Sequence, residues 1–212
     1  RPPRSTLLPY TTLFRSARGG VYDQLAGGFH RYSVDERWCV PHFEKMTYDN
    51  SELLRNFLHG YQVTRNRLFR ETAEGIIRWV GEVLSDRERG GFYASQDADQ
   101  TLDDDGDYFT WTQEEVRAAL TPEESRVAEM YYHVEPHGEM HHNPRKNVLW
   151  VAMPPEQVAQ NLKMNAAEVE RTLARAKEKL LGSRLTRHPT PAVDTTVYVA
   201  WNAMFEIGRA HV

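Results

Sequence analysis

Apolar residues recur at helical spacing through most of the chain. Leu53, Leu54, Phe57, Leu58 and Tyr61 share one helical face, and after a polar break at residues 64–67 the pattern resumes with Phe69, Ala73, Ile76, Ile77, Val80, Val83 and Leu84. Asp49 followed three residues later by Glu52 reads as a capping box opening the first of these helices. Together they predict an αα-hairpin, two long helices on a short connection. Gly90 and Gly91 then close the pair. Residues 92–95 and 108–111 are short and aromatic and flank an acidic segment, which predicts a β-hairpin inserted between helices. Thr112 with Glu115, and Thr121 with Pro122 and Glu124, mark two further helix starts. Residues 136–146 read as loop, 147–152 as a strand and 154–162 as a short helix. Asn165 with Glu168 opens a longer helix with a buried stripe of Val169, Leu173, Ala176 and Leu180, and Gly182 is its expected stop. A last helix is expected over residues 194–205.

Between residues 19 and 50 the periodicity gives way to GGVYDQLAGGFHRYSVDERWCVPHFEKMTYDN. This stretch concentrates the pairs Gly19–Gly20 and Gly27–Gly28 with His30, Trp38, Cys39 and His42. Paired glycines cost backbone entropy and serve where a chain needs positive φ or a close approach. Mixed chemistry on a loop-rich background reads as the rim or floor of a pocket held by the helices.

The 212 residues carry 26 Lys and Arg against 30 Asp and Glu, a formal net charge of −4. An acidic balance argues against a nucleic-acid or anionic-membrane surface, which would need clustered positive charge. No apolar run approaches the roughly 18 to 20 residues of a spanning helix, and a single cysteine allows neither an internal disulfide nor a thiol-based zinc site. A cytoplasmic protein is the default. Apolar residues make up 40% of the chain and five are tryptophan, as in a globular protein. Residues 1–16 (RPPRSTLLPYTTLFRS) and 206–212 (EIGRAHV) resemble translated sequencing-library adapter and show no helical period, so they are set aside as non-native. Residues 17–205 are the expected domain. Setting the ends aside removes Arg1, Arg4, Arg15 and Arg209 against Glu206 and makes the chain more acidic.

The candidate chemistry lies in two segments. Asp97 and Asp99 stand at alternate positions of QDAD, so on an extended chain they point the same way. Two neighbouring carboxylates can split their pKa values and act as acid and base, the arrangement of glycosidases. The alternative is a loop whose aspartates cap turns. His42 and Glu44, in PHFEK, could move the proton that sugar epimerisation requires, or clamp the loop to the helical hairpin. Asp49 is read as a helix cap in preference to a catalyst. Arg31, Tyr32, Trp38, Tyr93 and Trp111 are candidates to line a sugar pocket, with the hydrophobic core as the alternative place for the aromatics. Metal readings fail on spacing. Aligning Gly106 with the EF-hand glycine puts Thr101 first and Thr112 last, so the run from Asp103 to Asp107 reads as a solvated loop. His137, Glu139, His141 and His142 lack the H-E-x-x-H spacing. No P-loop or GxGxxG is present, no metal or cofactor is expected, and Cys39 reads as a small buried hydrophobe.

The long glycine-rich motif, with FYASQDAD and YFTWTQEE downstream, resembles the thioredoxin-domain-containing family related to spermatogenesis-associated protein 20. The resemblance runs over nearly all of residues 17–205; Cys39 and Thr47 depart from its pattern. It implies a mainly α fold, a partial (α/α)6 toroid like that of six-hairpin glycosidases and N-acylglucosamine 2-epimerases, with short β-hairpin insertions. The family's thioredoxin-like domain would lie outside this chain, so no redox chemistry is carried over. Half a toroid on its own is expected to be inactive and to expose helix faces. Two function classes are implied. One is a carbohydrate-active domain in which His42, Glu44, Asp97 and Asp99 face one cavity. The other is a non-catalytic helical module serving an attached thioredoxin-like domain.

Overall fold

A computed structural model of the protein describes residues 8–99 and 106–209. In chain order the elements are α1 (Leu8–Arg18), β1 (Tyr32–Ser33), β2 (Pro41–His42), β3 (Lys45–Met46), α2 (Thr47–Thr64) and α3 (Arg67–Trp79), the last running into a π-helical turn (Val80–Leu84). Then come β4 (Ser95–Gln96), α4 (Gln113–Ala119), α5 (Pro122–Tyr132), α6 (Pro155–Leu162), α7 (Ala166–Leu185), β5 (Val193–Asp194) and α8 (Val199–Arg209). The fold is mainly helical, with two small antiparallel sheets in the orders β1-β2 and β3-β4-β5.

The αα-hairpin forms where the apolar period placed it. Arg65 ends α2 in the left-handed conformation, its N–H donating to the Tyr61 carbonyl. Asn66 caps α3 by accepting from the Leu68 N–H. Leu54, Phe57, Phe69 and Ile76 interlock in a fully buried core. Packing α8 against α2 completes this half, with Phe205 buried against Phe92 at a ring separation of 4.7 Å. The helix α1 runs through the boundary expected after Ser16. Its Leu13 is buried in the same core and Phe14 lies 4.6 Å from Phe69, so this segment packs as part of the first half of the fold.

The second half holds α4 to α7. Capping boxes at Thr112/Glu115 and Thr121/Glu124 open α4 and α5 as the sequence predicts. Val169, Leu173, Ala176 and Leu180 form the buried stripe of α7.

Several expectations need correction. The Asp49/Glu52 capping box does not form. Met46 is the N-cap of α2 and makes no side-chain cap, because β3 runs straight into the helix and the Thr47 N–H is taken by the Ala94 carbonyl. The β-hairpin between residues 92–95 and 108–111 is absent. Its first arm, in β4, pairs with β3 on one side and β5 on the other, while Trp111 bridges to Asn147. Residues 147–152 are extended without a sheet partner beyond that bridge; Val151 and Ala152 donate instead to the carbonyls of Arg18 and Tyr131. Gly182 does not stop α7, which continues to Leu185 because Arg184 in its last turn is anchored inside the protein. The last helix starts at Val199, since Asp194 is in β5 and its carboxylate turns the chain by accepting from the Thr196 N–H. The acidic-loop residues Asp103 to Asp105 lie outside the described residues.

Candidate functional site

The segment from His42 to Met46 carries two faces of opposite character. Phe43 and Lys45 are buried inward, while His42, Glu44 and Met46 are only partly covered. On the partner segment Gln96 and Ala98 are buried, Asp97 is exposed and Asp99 partly so. The register sets Lys45 opposite Gln96. Residues directly opposite in an antiparallel pair share a face. The pairing ends at Lys45 and Gln96, and His42 belongs to β2, opposite Tyr32. Phe43 and Ala98 lie in one buried cluster, whereas His42, Glu44, Asp97 and Asp99 are each at least partly open to solvent.

Around Glu44 the polar groups converge. Its Oε2 is 3.2 Å from Arg31 Nη1 and 3.8 Å from His42 Nε2. The Tyr32 ring lies 5.1 Å from the His42 imidazole, a consequence of the β1–β2 register that sets them opposite each other. The Tyr48 hydroxyl, and then Glu44, favour the charged form of Arg31. Asp49 sits in the first turn of α2 behind this group. Burial raises its carboxyl above the usual range against the pull of Tyr48 and Arg31, and its Oδ2 is buried without a partner among the described residues. A carboxyl raised by burial beside an ion-paired one is the kind of asymmetry acid–base pairs use. The sequence pattern makes Asp49 a cap; the structure places it in the cluster. Asp97 accepts from the Ala98 N–H, and its own N–H donates to Ala192.

The aromatics divide. Tyr32 is 53% exposed, available at the edge of the cluster. Trp38 is half-buried against the first-half core, at a turn organised by Asp35, whose carboxylate accepts from the N–H groups of Arg37, Cys39 and Val40. Tyr93 lines a separate open hollow with the turn over residues 85–90, Thr195 and Val197. Trp111 is fully buried in the second-half core under the Arg187 guanidinium, 4.0 Å from its ring centroid, and offers no face to a ligand. Cys39 is buried as expected, and burial raises its thiol. Glu139 is spent on the Val148 N–H and the Trp150 indole, and His142 meets Asp107 at 3.1 Å. Among the described residues no three metal-ligating side chains gather.

Sequence reasoning missed the inner face. Asp23 accepts from Arg184 Nη1 and Nη2 at 3.0 and 2.9 Å and from Lys45 Nζ at 2.7 Å, all three buried. Burial opposes its ionisation, but Arg184 and Lys45 outweigh burial and hold the carboxyl well below the usual range. Burial lowers Lys45 to about 8 despite the pull of Asp23. Burial, and then Lys45, push His30 down to about 3, so its imidazole is neutral. His30 Nδ1 lies 2.6 Å from the Phe43 carbonyl, which can only accept, so that nitrogen carries the proton. Gly27 and Gly28 make room for this knot. Both have positive φ; a Cβ on Gly28 would lie 2.5 Å from the Trp79 ring, and one on Gly27 would strike the Gly75 carbonyl. The available signal was the charged residues Asp23 and Lys45 inside a stretch otherwise rich in glycine and aromatics. Arg184 had none.

No family model matches the chain. It aligns with spermatogenesis-associated protein 20 of Mus musculus and of Homo sapiens, each at 32% identity over 98% of this chain. An uncharacterized protein of Caenorhabditis elegans aligns at 30% identity over 94%. The chain is a relative of spermatogenesis-associated protein 20. It spans 29% of the length of the mouse and human spermatogenesis-associated protein 20. Among the described residues no helix is long and apolar enough to cross a membrane.

Proposed function

We propose that this chain supplies part of an (α/α)6 toroid that processes a carbohydrate, with its acid–base machinery on the outer face of the β3–β4 ribbon. The reading rests on one observation, the convergence of Arg31 and His42 on Glu44; continuing the Lys45–Gln96 pairing outward would bring Asp97 and Asp99 to the same side. Glu44, held against Arg31, is the base. Asp49, whose carboxyl burial holds above its usual range, is the acid that returns a proton. His42 stands next to Glu44 and would need to close from 3.8 Å to hydrogen-bonding distance to take its proton, and Tyr32 offers an aromatic face for a sugar ring. In the longer relatives a thioredoxin-like domain is the attached partner that the family resemblance implies.

A second reading, a rigid binding module without catalysis, draws on the same Arg31–Glu44 ion pair, which closes the group on itself. Ligand-observed NMR with a panel of neutral mono- and disaccharides separates the two. The carbohydrate reading expects saturation transfer to at least one sugar, lost in Glu44→Gln and weakened in Asp97→Asn. Sugar binding unchanged in both variants, or no sugar bound by a folded chain, would remove it and leave the module.

A further inference from the structure

A further cavity lies elsewhere, between α1, α3 and the α5–α7 layer, with a volume of about 540 Å³. That is the size of a small-molecule site. Three cations line it: Arg18, Arg78 and Lys177. None forms an ion pair with a described residue. Arg18 leans over the Phe14 ring at 5.9 Å, and Arg78 donates only to the Ala26 carbonyl at 3.3 Å. The acids on the same wall are otherwise engaged. Glu71 pairs with Arg67 at 2.5 Å and Glu74 with Arg70 at 2.9 Å, both pairs on the exposed side of α3. Glu156 sits in the first turn of α6, where the helix dipole favours a carboxylate.

Lys177 carries most weight. It is half-buried on α7, facing α3, and burial followed by the nearby Arg78 charge makes its ammonium less stable than in water. Asp23 and Glu71 offset this only in part, and neither makes an ion pair with Lys177 among the described residues; a partly desolvated cation beside a second cation is an electrostatic cost that a bound anion would relieve. We propose that this cavity binds a small anionic molecule whose phosphate or carboxylate group sits between Lys177 and Arg78. The apolar walls from Leu68, Val151, Pro154 and Leu173 would cover its body. The site is independent of the acid–base face on the β3–β4 ribbon.

Isothermal titration calorimetry on the whole chain tests this with phenyl phosphate, benzoate and uncharged benzyl alcohol, none of them a sugar. Saturable binding of at least one of the two acids, and not of benzyl alcohol, is expected; which acid binds distinguishes phosphate from carboxylate. Lys177→Gln should weaken it about tenfold or more, whereas Lys177→Arg, which keeps the charge, should stay within a few-fold of the parent. Glu44→Gln should leave it unchanged, so failure here and failure of the carbohydrate reading are separate results. No saturable binding of either acid, benzyl alcohol binding as tightly as the acids, or full affinity in folded Lys177→Gln would each overturn the proposal.

Discussion

Replacing Asp23 with Asn strikes the charged knot beneath β3 at its one negative group. The carboxylate accepts from Arg184 at 3.0 and 2.9 Å, from Lys45 at 2.7 Å and from the N–H groups of Leu25 and Ala26 at 3.0 and 3.2 Å. Asparagine preserves the volume and one acceptor but leaves two buried cations without a counter-charge. Removing one partner of a buried pair costs about 3–5 kcal/mol. Here a single acid serves two bases, so the full range is in play. The loss has a ceiling, because Lys45, already lowered to about 8 with Asp23 in place, can shed its proton when the carboxylate goes. An Asp23→Asn loss of about 3–5 kcal/mol at neutral pH, shrinking in alkali, is therefore expected. That is about a fifth or more of the roughly 5–15 kcal/mol that holds a typical domain folded. Equilibrium urea unfolding measures it as a fall in midpoint at constant slope, about 2 M for a slope near 2 kcal/mol per molar. Lys45→Met is the counterpart. It leaves Asp23 and Arg184 as a one-to-one pair and removes the hydrogen bonds to Asp23 Oδ2 and the Gly27 carbonyl together with the buried charge, so about 2 kcal/mol is expected. A cost below about 1 kcal/mol for Asp23→Asn, or equal costs for the two variants, would refute the charge accounting.

The geometry sets three further outcomes. His30, lowered to about 3 in the folded protein against roughly 6.5 unfolded, binds fewer protons folded than unfolded between those values. Its contribution is complete above about pH 6.5 and is lost as pH falls toward 3, so His30→Gln should flatten the stability profile in that window. Asp23, shifted further down, adds its own loss only below about pH 4. Gly27→Ala forces positive φ on a side chain that would strike the Gly75 carbonyl, and should destabilise by more than about 2 kcal/mol, read from the thermal midpoint. Gly182→Ala should do the reverse, stabilising by about 0.5–1 kcal/mol, because Gly182 lies inside α7 with open space where a methyl group would go; a loss would mean that the helix breaks there after all.

The sequence alone determined what short-range physics controls. Capping boxes at Thr112 and Thr121, the Asn165 cap, and the apolar period of α2, α3 and α7 depend on residues three or four apart, and each formed where the pattern put it. The need for glycine at residues 27 and 28 was legible because few other residues tolerate positive φ, although the Trp79 ring and Gly75 carbonyl that press on them were not. The choice of strand partner belonged to tertiary structure. Residues 92–95 and 108–111 were equally plausible neighbours by composition, and only the packed fold put β4 between β3 and β5. The same packing set Arg31 and His42 around Glu44, moved Asp49 from cap to cluster, and left Trp111 as core. Arg184 and Asp23 show the limit most plainly. They stand 161 residues apart, and their pairing both extends α7 past a glycine and fixes the charge under β3. A local pattern cannot encode a partner that distant, because its energy exists only once the chain between has been folded away.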